Sequence, residues 1–192
     1  KSACIGMIDN FIRSTRPRCK GMVLANTGDQ LSTKTWAAIR TWNKLSLTAH
    51  WFEDTTERVS MIGERDSWFS TAVIWSIDRP EAIAGLHAAD STPYFLNDEC
   101  SAIADLIFDV QEGGLTDGEP MQFCFGNLTR PDGKFARIMN GEERDWVVIR
   151  IDSRECPLTN KEQIQEWIEV YGEDSDFVRV RVRGMAPRAG IA

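Results

Sequence analysis

Histidine is scarce in this chain and cysteine is unpatterned. Of 192 residues only His50 and His87 are histidines, and the five cysteines (Cys4, Cys19, Cys100, Cys124 and Cys156) contain no C-x-x-C spacing. That argues against a zinc site. It also argues against a disulfide framework, so a reducing cytosol is the expected compartment. No apolar run approaches the ~20 residues that span a bilayer, and no signal-peptide pattern is present. Internal repeats, low-complexity stretches and a clear linker are missing too, so a single domain over 1–192 is expected. A basic excess is also absent. The net charge of −7 argues against the whole surface being a nucleic-acid footprint, although a local basic face would suffice for DNA.

What remains is an ordinary globular composition, 42% hydrophobic and 27% charged, with seven tryptophans that packing explains more readily than base stacking. Apolar runs alternate with helical periodicity, the pattern of a mainly parallel α/β sheet. Residues 3–14 place Cys4, Ile5, Ile8, Phe11 and Ile12 on one helical face, with Asp9, Asn10 and Arg13 elsewhere; Pro17 stops that helix. Residues 21–26 read as a buried strand, and 29–47 as a long helix carrying Leu31, Trp36, Ile39, Trp42, Leu45 and Leu47. Residues 51–70 read as irregular structure or a hairpin. Further strands are expected at 72–75, 93–96, 121–126 and 146–151, and helices at 103–110 and 161–171, the last capped by Thr159 or Asn160. Residues 176–183 alternate like a strand, yet the acidic residues before them favour a helical turn.

The chemistry concentrates where the run Tyr94-Phe95-Leu96 ends in Asn97-Asp98-Glu99. Two adjacent carboxylates closing a buried strand repel each other unless a cation or a proton-transfer task accounts for them. Taken alone, the pair reads as an acidic loop after a strand. Two other pieces bear on it. Lys1-Ser2 opens an amphipathic helix, as the tail of the phosphate loop G-x-x-x-x-G-K-[ST] does. There, backbone N–H groups and the helix dipole hold phosphate, the lysine reaches the outer phosphates and the hydroxyl ligates Mg²⁺. The glycines of such a loop would lie upstream of Lys1, and the absence of an initial methionine makes an upstream piece the expectation. The third piece, Asn127-Leu128-Thr129-Arg130, follows the next strand, on the side of an open sheet where ligands bind. It reads otherwise as an ordinary strand-to-loop turn.

Together these segments resemble the ATPase domain of the large terminase subunit of tailed bacteriophages and prophages. The resemblance is carried by residues 23–36 around Asn26-Thr27-Gly28-Asp29-Gln30, by Ala84-Gly85-Leu86-His87, by Asp98-Glu99, by Gly126-Asn127-Leu128-Thr129-Arg130, and by residues 171–184. It covers nearly the whole chain in collinear order. It implies an α/β, P-loop NTPase-type fold, a mainly parallel sheet flanked by helices (ASCE-like), here lacking its N-terminal strand and Gly-rich loop and without the nuclease domain. ATP and Mg²⁺ are the implied cofactors. Lys1 and Ser2 match the end of the Walker A motif, Asp98 the metal-holding Walker B aspartate, and Glu99 the glutamate that activates water. Asn127, Thr129 and Arg130 match the segment that couples hydrolysis to DNA movement, and Thr27 to Gln30 a helicase-type motif. Asn97 and Cys100 depart from the pattern, which has an apolar residue and an alanine there.

The implied activity is ATP-driven translocation of double-stranded viral DNA into procapsids. The implied partners are portal protein, small terminase subunit and further copies in a ring, in the cytoplasm of the bacterial host. An arginine from a neighbouring copy (Arg65, Arg79 or Arg130) would complete the site. A helicase-type nucleic-acid-dependent ATPase and a non-catalytic fragment of such a motor remain the alternatives. The arginines from Arg179 to Arg188 read as a solvated face, as a domain-junction salt-bridge strip or as a contact to DNA phosphates.

Overall fold

The computed structural model describes residues 1–188, which form two compact units, Lys1–Phe125 and the segment from Gly126 onward. The first unit is built on six strands: β1 (Lys20–Ala25), β2 (Phe52–Asp54), β3 (Arg58–Met61), β4 (Phe69–Ile74), β5 (Pro93–Asn97) and β6 (Met121–Cys124). They lie in the order β2-β3-β4-β1-β5-β6. The four strands β4, β1, β5 and β6 run parallel, and β2–β3–β4 form an antiparallel margin. The fold class is therefore the expected one. The 51–70 region supplies the hairpin β2–β3 and the start of β4, in place of irregular chain.

Central β1 and β5 read as continuous apolar runs because both faces are covered. Alternation along β5 sends Tyr94 and Leu96 to one face, into a core with Val23, Ala25, Ile5, Ile12, Trp36 and Ile39. That face is covered by α1 (Ser2–Thr15) and α3 (Trp36–Leu45), which pack against each other. Gly6 permits their close approach, since a Cβ there would stand 2.7 Å from Trp42 and 2.9 Å from the Ala38 carbonyl. Phe95 and Asn97 point to the opposite face, where α4 (Asp105–Gly114) lies.

The buried stripe of α1 differs from the apolar face expected for it. Asp9 and Arg13 are both 0% exposed, whereas Phe11 is exposed. Arg13 Nε donates to Asp9 Oδ2 at 2.9 Å, Tyr94 Oη donates to Asp9 Oδ1 at 2.9 Å, and Ser70 Oγ donates to Asp9 Oδ2 at 3.2 Å. Arg13 also reaches Asn43 Oδ1 at 3.1 Å and lies over the Phe52 ring. Pairing makes the burial of both charges tolerable. Gly21 leaves room for the arrangement, because a Cβ there would overlap the Tyr94 ring.

The long helix expected over 29–47 is three pieces: α2 (Gly28–Gln30), a π-helical turn at Leu31–Thr35, and α3. The Trp36 N–H bonds Leu31 O, five residues back, which defines the wide turn.

In the second unit α5 (Lys134–Met139) is followed by α6 (Lys161–Tyr171) and α7 (Asp176–Arg181). Asn160 caps α6 by accepting from Gln163 N, and Ser175 caps α7 by accepting from Val178 N. Ile164, Val178 and Val182 form its core with Trp167 and Phe177. Residues 176–181 are thus helical, as the acidic start favours. The strand expected at 146–151 is not formed. Val147 is 90% exposed and Ile149 78%, and no neighbouring edge pairs with this stretch among the described residues. β-branched composition alone does not make a strand when the backbone has no partner.

Candidate functional site

The pleat of β5 decides where the acidic pair points. Asn97, on the α4 face, exchanges amide hydrogen bonds with Gln111, so the polar departure before the pair is fully satisfied. Asp98 then turns the other way. Its backbone N–H continues the ladder to Leu24 O at 2.9 Å, and its side chain meets the π turn, where Thr35 Oγ1 donates to Asp98 Oδ2 at 2.6 Å. The Glu99 N–H donates to Asp98 Oδ1 at 3.0 Å. Asp98 is only 2% exposed, and both hydrogen bonds come from neutral donors. Among the described residues no Lys, Arg or His forms an ion pair with it. A buried carboxylate held by neutral donors, without a cation, is an unbalanced charge.

Glu99 breaks the strand sharply, with φ 52° and ψ 49° in the left-handed region that a glutamate rarely adopts. Its half-buried carboxylate Oε1 accepts from Lys1 Nζ at 2.6 Å. Lys1 is the N-cap of α1 and supplies no side-chain cap, and Ser2 is the first helical residue. The structure therefore brings Lys1 onto Glu99, next to Asp98, at the carboxyl end of β5, with Ser2 one residue away in sequence from that lysine. Cys100 packs behind the turn. Its thiol donates to Asn97 O at 3.1 Å, and burial, with the neighbouring Cys124, pushes its pKa well above that of a free thiol.

Other expected residues fall elsewhere. Thr27 accepts from Gln30 N at 3.2 Å, capping α2, and Asn26 accepts from Trp75 Nε1 at 2.9 Å. Arg65 is committed to Glu53 at 2.7 Å. Arg79 precedes a 3₁₀ turn at Pro80–Ile83. Asn127, Thr129 and Arg130 belong to the second unit, where Asn127 and Thr129 line a cavity of about 280 Å³ with Asp176, Phe177, Val180 and Arg181. Arginines in and after α7 converge on one carboxylate. Arg179, Arg183 and Arg188 stand 3.0, 3.5 and 2.6 Å from Asp174.

Thr35 is the residue that the sequence reading passed over. Its signal was there: Leu31, Thr35, Ile39 and Asn43 form an i, i+4 stripe, and a polar residue in such a stripe is buried against something.

The donor set bears on which cation would fit. No group of three or more His, Cys, Asp or Glu side chains is poised to hold a metal among the described residues. That leaves no site built from protein ligands alone. It does suit Mg²⁺, which takes one or two protein oxygens and completes its shell with phosphate and water. Asp98 would be the carboxylate ligand and Ser2 the hydroxyl. No helix is long and apolar enough to cross a membrane among the described residues.

No family model matches the chain, and no curated protein sequence does. Among solved structures, the large terminase from a thermophilic bacteriophage matches with a TM-score of 0.60 at 12% identity, over 91% of this chain and 42% of that one. At that identity the likeness is one of fold. The chain has a terminase-like α/β fold and spans less than half the length of that structure.

Proposed function

We propose that this chain is the ATP-hydrolysing part of a DNA-translocating motor of the terminase large-subunit type. The observation that carries the reading is Asp98: a carboxylate buried at the carboxyl end of a parallel strand, ion-paired with no cation among the described residues and followed directly by Glu99. Lys1 at the head of α1, 2.6 Å from Glu99, adds the phosphate-binding cation such a centre needs. The terminase-like fold and the collinear sequence resemblance support the same assignment.

In this reading Mg²⁺–ATP supplies the electrophilic phosphorus and the cation. Asp98 and Ser2 would hold the cation, Lys1 would leave Glu99 for the phosphates, and the freed Glu99 carboxylate would take the proton of the water as it attacks the γ-phosphorus and ADP leaves. Positioning and charge stabilisation do most of the work in phosphoryl transfer. Asn127, Thr129 and Arg130 pass the state of the nucleotide on to movement of double-stranded DNA. Portal protein, small terminase subunit and a ring of copies, in the host cytoplasm, complete the proposal.

Glu99→Gln in the whole protein is expected to retain ATP binding, measured by titration calorimetry, and to lose turnover. Near-normal hydrolysis by that variant would refute the assignment. Packaging of DNA into purified procapsids, set against strand unwinding, separates this motor from a helicase-type ATPase of the same fold.

A further inference from the structure

We infer that Thr35 is a positioning residue for the metal-binding carboxylate, and that the π-helical turn exists to deliver it; this rests on the reading of Asp98 given above. Thr35 lies 63 positions from Asp98 in sequence, is 0% exposed, and donates to Oδ2 at 2.6 Å. With the Glu99 N–H on Oδ1 at 3.0 Å, each carboxylate oxygen accepts one hydrogen bond. Each oxygen keeps a further lone pair for a cation. Because an ionised carboxylate only accepts, the hydroxyl proton of Thr35 is committed to it. The rotation of the carboxyl group is thereby fixed before any ion arrives.

The backbone shows how this is achieved. π-helical turns are rare, and they gather at functional sites. This one is clamped on both flanks: Leu31 and Trp36 sit in the main core, and Trp36 Nε1 donates to Thr55 O at 3.3 Å. The extra residue turns the helical surface by about 100° across the bulge. Leu31 and Trp36 are buried together as a result, while Thr35 between them faces the end of β5. A threonine suits the position twice, since its methyl group packs and its hydroxyl donates. Partners that orient a ligating side chain are commonly worth about 10- to 100-fold in metal affinity.

The test is Mn²⁺ binding by the whole protein, followed by electron paramagnetic resonance with a non-hydrolysable ATP analogue present. Thr35→Val is expected to weaken Mn²⁺ binding by about 10- to 100-fold, while analogue binding in EDTA and the melting temperature stay near those of the unsubstituted protein. Thr35→Ser is expected to restore Mn²⁺ affinity. Unchanged Mn²⁺ affinity in Thr35→Val, or a serine variant as weak as the valine one, overturns the proposal. If Thr35→Val does not fold, Thr35→Cys replaces it, since a thiol is a poor donor of nearly serine size. Weaker Mn²⁺ binding by the cysteine than by the serine variant supports the role, and equal binding overturns it. Failure of the unsubstituted protein to bind Mn²⁺ at all is a separate result: it refutes the reading of Asp98, and the role of Thr35 with it.

Discussion

Asn97 and Gln111 exchange both of their amide hydrogen bonds: Asn97 Nδ2 donates to Gln111 Oε1 at 2.9 Å, and Gln111 Nε2 donates to Asn97 Oδ1 at 2.8 Å. Both residues are fully buried, and Gln122 Nε2 is a second donor to the same Gln111 oxygen at 2.5 Å. The pair pins the last residue of β5 to α4, one position before Asp98. An apolar residue at 97 would pack there, but it would not fix where the strand ends. The amide thus couples the outer helix to the acidic pair.

Replacing one member should therefore cost more than replacing both. Asn97→Leu leaves the buried Gln111 Nε2 without its partner and Gln122 as the remaining donor to its Oε1, an expected loss of about 1–3 kcal/mol. Asn97→Leu combined with Gln111→Leu removes both polar groups and should recover most of that loss. Urea unfolding of the two single variants and the double variant measures the coupling. Strictly additive losses would mean that the amides do not act as a pair.

The Asp9–Arg13 pair makes a second, larger prediction. Asp9→Ala strands the guanidinium of Arg13, whose Nη2 already lacks a partner in the folded chain. The expected destabilisation is about 3–5 kcal/mol. Asp9→Leu with Arg13→Met, an apolar pair of similar volume, should be far milder. Tyr94→Phe removes only the hydroxyl that donates to Asp9 and should cost about 1 kcal/mol. Thermal unfolding of the variants ranks them. A double variant as unstable as Asp9→Ala would show that packing, not the unpaired charge, sets the cost.

These cases also mark what could be read in advance. The buried strands β1 and β5 announce themselves as apolar runs, and α6 by its cap and its periodicity. The acidic pair at a strand end was legible for the same reason, because its position is set by local alternation. Asp9 and Arg13 were not. Periodicity assigns charged residues to solvent, and only tertiary pairing with Tyr94, Ser70 and Asn43 reverses that. Residues 146–151 failed in the opposite direction: their composition is that of a strand, but strand formation depends on an edge to pair with. The burial of Thr35 was legible in its stripe, but what it meets was hidden because its partner lies 63 positions away. The π turn that aims it has no sequence signature as distinct as a proline or glycine.

Asp174 gives a pH prediction. The Arg179 guanidinium, with Arg188 and Arg183 beside it, holds the Asp174 carboxyl below the usual carboxylate range. A depressed folded-state pKa contributes stability above the unfolded-state value and loses it as pH falls through the folded value. The tether of Arg179, Arg183 and Arg188 should therefore be intact at neutral pH and release in acid below the ordinary aspartate range, about pH 4. Trp167, packed edge-on against Phe177 of α7 with ring centroids 5.5 Å apart, is a local reporter. Its indole resonance should shift through that acid range in the unsubstituted protein. In Asp174→Asn the same transition should be absent. A transition that persists in the asparagine variant would assign it to another carboxylate.

Glu99 sets function against stability. Its left-handed backbone, φ 52° and ψ 49°, costs a non-glycine residue about 1–2 kcal/mol, and strain of that kind gathers where a side chain is needed in place. Glycine has no such penalty, although it loses more backbone freedom on folding, so Glu99→Gly should gain up to about 1 kcal/mol. The half-exposed ion pair with Lys1 that is lost contributes little to set against this. Glu99→Gln, by contrast, keeps the strain and should not raise the melting temperature. Both substitutions remove the carboxylate and should abolish ATP turnover, yet only glycine should stabilise the fold. Calorimetric melting of the three proteins distinguishes them. A glycine variant that melts below the unsubstituted protein would mean that the glutamate is held by its contacts at no conformational cost.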